Sequence, residues 1–142
     1  MRIFLSGSIR GGREMLLVYM KICSLLQDAG HEVLSSHVAD PTVEEAESVM
    51  TEQEIYLRDM RFLEKSECLI AEVSTPSIGV GYEICSALQL GLPVLCLYSA
   101  QANVSAMILG NTSMGFIAKG YGNHQELDDA IMVFLSEIGL GA

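Results

Sequence analysis

The run CLIAEV, Cys68–Val73, passes without a linker into STPSIGVGYE, Ser74–Glu83, and this junction restricts the fold more than any other stretch of the chain. A short apolar run bounded by turn residues predicts a buried strand, and the string that follows predicts a strand-to-helix turn. Pro76 helps to break the strand, while Gly79 and Gly81 remove side chains that would hold a ligand away from main-chain N–H groups. A helix N-terminus adds unpaired donors and a partial positive charge, so an anion is stabilised there. Ser74, Thr75 and Ser77 can supply hydroxyls. With a helix expected from about Gly81 to Leu90, Glu83 falls in its first turn, where the same field favours the ionised form by roughly 0.3–1 kcal/mol. A capped structural turn has the same ingredients, and a first-turn Glu is often only a capping residue. Taken alone, the ten residues leave both readings open.

The flanking chain sharpens the expectation. Arg2–Ser6 predicts a first strand, followed by the loop GSIRGGR, Gly7–Arg13. Leu16, Met20, Cys23 and Leu26 recur at helical spacing, Leu17 widens that stripe, and Gly30 supplies a stop. His31–Ser35 predicts a second strand, so strand, glycine loop, helix and strand open a βαβ unit. Val38–Met50 holds Pro41 and four acidic residues without clear periodicity, and is expected to be an exposed loop able to act as a lid. Thr51 and Glu54 form a capping-box signature for a helix over Glu52–Lys65. On that helix Tyr56, Met60 and Leu63 mark one face, Asp59 lies near its edge, and Arg58 and Arg61 are expected to point elsewhere. Pro93–Tyr98 predicts a fourth strand, Val104–Leu109 a short helix, Phe116–Ala118 a weak fifth strand and Gln125–Ile138 a closing amphipathic helix.

Alternating strands and helices in a chain of 142 residues predict a single α/β domain over residues 1–142. The expected architecture is flavodoxin-like or Rossmann-like: a doubly wound parallel sheet of five strands in order 2-1-3-4-5, with helices on both faces. In that order the first and third strands are neighbours whose connections leave in opposite directions. A crevice opens at their carboxyl ends, and GSIRGG and STPSIGVG both emerge there.

The net charge of −10 argues against nucleic acid polymers or an anionic membrane as the main partner. Arg2, Arg10 and Arg13 nevertheless make a local positive island. Cys23, Cys68, Cys85 and Cys96 are widely spaced in apolar surroundings and read as reduced core thiols. His31, His37 and His124 lack ligand spacing, so no metal site is expected. Neither a signal peptide nor a membrane span is evident, and a cytoplasmic protein is expected.

GSIRGGR has neither GxGxxG spacing nor a Walker lysine. Together with HEVLSSHVAD, the helix carrying Asp59, AEVSTPSIGVGYE and the later VSAMI, it resembles the 2'-deoxynucleoside 5'-phosphate N-hydrolases, which belong with the nucleoside 2-deoxyribosyltransferases. The resemblance runs through nearly the whole chain. It implies cleavage between a sugar C1' and a base nitrogen without metal or organic cofactor. Glu83 occupies the place of the nucleophilic carboxylate, which forms a covalent sugar intermediate, and Asp59 that of a second acid which orients it or handles the proton of the departing base. The division of labour parallels retaining glycosidases.

The same resemblance places Ser8, Arg10, Ser77 and Gly79 in a 5'-phosphate pocket, with Gly7, Ile9 and Gly11 completing the first loop. Ser105, with Met107 beside it in VSAMI, matches a phosphate-binding serine contributed by a neighbouring subunit, which implies a homodimer at least. Many deoxyribosyltransferases carry an acid where this chain has Ser77, and a hydroxyl can donate to a phosphate that an acid would repel. A nucleoside 5'-monophosphate is therefore the expected substrate and hydrolysis the expected outcome. Base transfer and nucleotide binding without turnover are the alternatives. One departure stands out: Phe4 replaces a first-strand tyrosine, as in enzymes that hydrolyse cytidine 5'-monophosphate, which leaves ribose or deoxyribose open. Ser36 and His37 border the expected sugar or base position, although His37 could equally be a packed neutral residue.

Overall fold

The computed structural model describes residues 1–140. Five strands, β1 (Arg2–Ser6), β2 (Glu32–Val33), β3 (Cys68–Glu72), β4 (Val94–Ser99) and β5 (Phe116–Tyr121), form one parallel sheet in the order β2-β1-β3-β4-β5. The helices are α1 (Leu16–Asp28), α2 (Val43–Ser48), α3 (Glu52–Lys65), α4 (Ile78–Gln89), α5 (Ala106–Leu109) and α6 (His124–Leu140). This is the doubly wound order expected from the alternation of elements.

Side chains of a strand alternate between faces, so β1 feeds two cores. Ile3 and Leu5 pack with Tyr19, Ile22 and Leu26 of α1 and Leu127, Ile131 and Phe134 of α6. Phe4 turns the other way, into a cluster with Leu63 of α3 and Val80 and Ile84 of α4. Each fully buried Leu, Ile or Phe contributes about 1.5–3 kcal/mol of transfer free energy. The two cores together fix α1 and α6 on one side of the sheet, α3 and α4 on the other. Gly30 and Gly91, with φ of 87° and 76°, follow α1 and α4 in the left-handed conformation that ends a helix at little steric cost.

Several local expectations shift. The inward arc of α1 centres on Tyr19 and Ile22, and Leu17 lies outside it at 78% exposure. Strand β2 spans two residues instead of His31–Ser35 because Ser35 Oγ takes over the pairing, donating to the Leu5 carbonyl at 2.7 Å and accepting from the Leu5 N–H at 2.8 Å. The segment Val38–Met50 is not an irregular exposed loop. A 3₁₀ turn at Ser36–Ala39 and helix α2 organise it, and Val38 and Val43 are buried. Asp40 Oδ1 accepts from the Thr42 N–H and hydroxyl, both at 2.8 Å, and so shapes the entry to α2. The capping box of α3 forms as expected, with Thr51 Oγ1 accepting from Glu54 N–H at 3.1 Å and Glu54 Oε1 from Thr51 N–H at 2.9 Å. Of the cysteines, Cys23, Cys68 and Cys96 are buried, while Cys85 is exposed on α4. Strand β5 runs three residues past Ala118, to Tyr121. No described helix is long and apolar enough to cross a membrane.

Candidate active site

The carboxyl ends of β1 and β3 lie side by side, with Ser6 paired in register with Ala71. The β1–α1 and β3–α4 loops leave from these ends and meet across a cleft of about 590 Å³ whose far wall is made by α2 and α3. Of the residues singled out in the sequence, Gly7, Ile9, Arg10, Gly11, Asp59, Ser77, Gly79 and Glu83 line this cleft.

The two loops touch. A Cβ built on Gly11 would stand 2.7 Å from Ser8 Oγ and 2.8 Å from the Pro76 carbonyl oxygen, so only glycine permits this approach. A Cβ on Gly7 would strike the Tyr19 ring at 2.8 Å. Gly79 differs, since its nearest neighbour would be Ser77 Oγ at 3.9 Å, and no protein atom crowds that position.

Ser8 lies beneath the cleft surface, fully buried. Its N–H donates to Tyr19 Oη at 3.0 Å, and its Oγ has no partner among the described residues. Arg13 braces the loop from behind by donating to the carbonyls of Ser8 and Val38 at 2.8 Å and of Asp40 at 3.0 Å, with its guanidinium 5.7 Å from the Tyr19 ring centre. Arg2 sits at the opposite end of β1, beside Glu67. The positive island of the sequence therefore disperses, and Arg10 alone of the three lines the cleft, where Glu52 pairs with it at 2.7 Å.

Helix α4 begins at Ile78, three residues earlier than expected, with Ser77 as its N-cap accepting from Val80 N–H at 3.3 Å. Glu83 consequently falls in the second turn rather than the first, beyond the free N–H groups of the helix end. The expectation that the helix field keeps it ionised is overturned. Burial pushes the Glu83 carboxyl up to about 8, nearby Asp59 and Glu47 charges add to the rise, and the Ser6 hydroxyl and Arg58 only partly oppose it. Ser6, fully buried on β1, donates to Glu83 Oε1 at 2.8 Å.

Asp59 behaves in the opposite way. Burial alone would raise its carboxyl, but bonds and charges from His37 and Arg58 outweigh it and hold Asp59 below the usual range. Arg58 does not point elsewhere. Its Nε donates to Asp59 Oδ1 at 2.9 Å, one NH2 group pairs with Glu47 of α2 and lies 3.1 Å from His37 Nε2, and His37 Nε2 is 3.3 Å from Asp59 Oδ1. His37 Nε2 therefore faces both the Arg58 guanidinium and the Asp59 carboxylate. His37 thus stands behind Asp59 instead of in the cleft lining, and its neighbour Ser36 lines a separate, shallow pocket.

Ser105 and Met107 are not part of the Glu83 cleft. They line a neighbouring one of about 540 Å³, between α4 and α5, which shares Pro76, Ser77 and Val80 with it. Ser105 caps α5, accepting from Met107 N–H at 3.1 Å, and Met107 is 80% exposed. Sequence reasoning missed Ser6, Arg58 and Glu47. The first reads as an ordinary strand residue, and the pairing of the other two depends on α2, which the sequence pattern did not reveal.

Beneath the β3–α4 loop, Glu72 is fully buried. It accepts from Ser74 N–H at 2.7 Å, from Ser74 Oγ at 2.8 Å and from Tyr121 Oη, while Ser74 Oγ accepts from Ser99 N–H at 2.9 Å. The floor of the loop is thereby tied to β4 and β5.

The family described as nucleoside 2-deoxyribosyltransferase matches residues 3–132 of this chain. The chain is 64% identical over 112 residues to the 2'-deoxynucleoside 5'-phosphate N-hydrolase 1 of Methanococcoides burtonii, which spans 79% of this chain and 92% of that relative. It is 44% identical over 112 residues to the 5-hydroxymethyl-dUMP N-hydrolase of Mus musculus, 76% of this chain and 64% of the other. Among solved structures, a Clostridium botulinum CMP N-glycosidase matches with a TM-score of 0.69 at 19% identity, covering 94% of this chain and 99% of that one. A 2-deoxyribosyltransferase of Bacillus psychrosaccharolyticus matches with 0.65 at 17% identity, covering 90% of each. At such identities these two likenesses concern the fold.

Proposed function

The chain belongs to the nucleoside 2-deoxyribosyltransferase family, and from that premise we propose that it hydrolyses the N-glycosidic bond of a nucleoside 5'-monophosphate, releasing free base and sugar 5-phosphate. The observation that carries the reading is the meeting of two glycine-bearing loops across one cleft, lined by Arg10 and the start of α4 as one group and by the Glu83 and Asp59 carboxyls as another. A phosphate at the first group would hold the sugar with its anomeric carbon near Glu83. The open space at Gly79 suits the approach of phosphate oxygens to main-chain donors. The names of the relatives favour a deoxyribonucleotide as substrate.

The opposed tendencies of the two carboxyls suggest a proton route. Glu83 begins protonated at neutral pH and Asp59 ionised. Glu83 first loses its proton to solvent; its carboxylate oxygen then bonds to C1' while the C1'–N bond breaks, and the departing base takes up a proton from solvent beside Asp59. A water molecule then adds its oxygen to C1', the ester bond to Glu83 breaks, and the proton lost by the water returns to the carboxyl pair. Each turnover consumes one water and restores both acids.

Ser105 and Met107 would serve the site only from a second copy of the chain, because within one chain they face a different cleft. Exposed Tyr56, Ile78 and Tyr82 on α3 and α4 offer apolar surface for such a homodimer. The free thiols suit a reducing compartment such as the cytoplasm. The deciding experiment incubates ribo- and deoxyribonucleoside monophosphates with the protein, with and without a second base. Free base plus sugar 5-phosphate is the expected outcome. A new nucleotide carrying the added base would make the protein a transferase, and tight binding without base release would make it a binding module.

A further inference from the structure

Resting on the reading of Glu83 as nucleophile, we propose that Ser6 is a positioning residue which fixes the two oxygens of that carboxyl in different roles, holding Oε1 and leaving Oε2 to attack. Three observations support the assignment. Ser6 Oγ donates to Glu83 Oε1 at 2.8 Å, and Ser6 is completely buried, so solvent does not compete for the hydroxyl. Oε2 accepts nothing from the described residues and is not sealed from solvent, and Glu83 lines the cleft. Phe4, two residues earlier on the same face of β1, is itself buried in the core against α3 and α4 and has no hydroxyl to offer. On this face of the strand Ser6 is the residue placed to act on Glu83.

Holding one oxygen has two consequences. Rotation of the carboxyl plane is arrested, so Oε2 is presented toward the anomeric carbon in one orientation instead of a spread of them. The carboxyl proton is also directed: an Oε1 that accepts from Ser6 is the carbonyl-like oxygen, which puts the proton of the neutral acid on Oε2, the atom that must lose it before bonding to C1'. The same hydroxyl stabilises the carboxylate once it has formed.

The test compares Ser6→Ala and Ser6→Cys with the native enzyme, measuring kcat, KM, the pH dependence of kcat/KM and the thermal midpoint. The cysteine variant keeps a similar volume but donates weakly, so a packing defect and a lost donor separate. Both variants are expected to lose about tenfold to a hundredfold in kcat, the range for a hydrogen bond to a charged group, with KM changed less than about twofold. The midpoint of the alkaline rise in kcat/KM should move to higher pH in both. Native kcat and an unmoved midpoint in Ser6→Cys would overturn the assignment, as would a loss of rate in Ser6→Ala alone that follows its thermal midpoint. Glu83→Gln serves as the control: if it retained activity the nucleophile itself would be misassigned, whereas an inactive Glu83→Gln beside a native-like Ser6→Cys would refute only the role of Ser6.

Discussion

Arg10 and Glu52 meet in a two-pronged ion pair at the cleft, with Nη1 2.7 Å and Nη2 3.3 Å from the two carboxylate oxygens. Each side chain is well exposed, so the pair is weak and easily exchanged. A substrate phosphate would therefore have to displace Glu52 from the cation. Glu52→Gln is expected to lower KM for nucleoside 5'-monophosphates by about two- to fivefold, the scale of an exposed ion pair, with kcat unchanged. Arg10→Ala should raise KM for nucleotides and leave binding of the corresponding nucleosides nearly unaltered. Initial-rate kinetics on both substrate classes checks the pair of expectations.

The rate should depend on alkalinity. As the proposed nucleophile Glu83 must be ionised to attack, and burial holds it protonated up to about pH 8. Between pH 6 and that value kcat/KM should climb close to tenfold per pH unit, since it reports free-enzyme ionisation, and then level off. A profile flat across this range would contradict the protonation state derived for Glu83.

Stability should move in the reverse direction. The native state binds the Glu83 proton more tightly than the unfolded chain, so ionisation above the ordinary carboxylate range weakens folding progressively until about pH 8. Asp59, depressed in the native state, contributes stability above its unfolded value that is lost on acidification. Glu83→Gln should accordingly raise the thermal midpoint at pH 9, with an advantage that fades toward pH 5. Scanning calorimetry of both proteins at the two pH values reads the difference.

Arg58 is the cation between Glu47 and Asp59, both largely buried. Arg58→Ala leaves two acids without their partner and should cost about 3 kcal/mol, typical of breaking such a pair. The double change Arg58→Met with Glu47→Gln should be less harmful than Arg58→Ala. Urea unfolding of the native protein and the two variants reads the difference.

Gly11→Ala drives a methyl group against Ser8 Oγ and the Pro76 carbonyl. Overpacking of this kind costs about 1–3 kcal/mol. Here it also prises the two loops apart, so KM for nucleotides should rise more than the loss of stability explains.

The sheet order was legible because alternation and right-handed crossover leave few arrangements, and the residue types at the two loops fixed where the cleft opens. What escaped were interactions across long sequence distances. Ser6 lies 77 positions from Glu83, and neither residue advertises the other. The start of α4 was misjudged because Gly79 and Gly81 lower helix propensity, while Ser77 caps the helix strongly enough to include both. That shift of three residues reverses the electrostatics of Glu83. The short helix α2 eluded pattern reading because it buries little apolar surface, chiefly Val43, and is anchored by the ion pair of Glu47.

Tyr121 ends the outermost strand, yet its hydroxyl completes the shell around Glu72. On a ribosome the first four strands emerge well before it, and a nascent chain that had closed over Glu72 would enclose a carboxylate short of one donor. The β3–α4 loop thus gains its finished foundation only late in synthesis, after the last strand has joined the edge of the sheet.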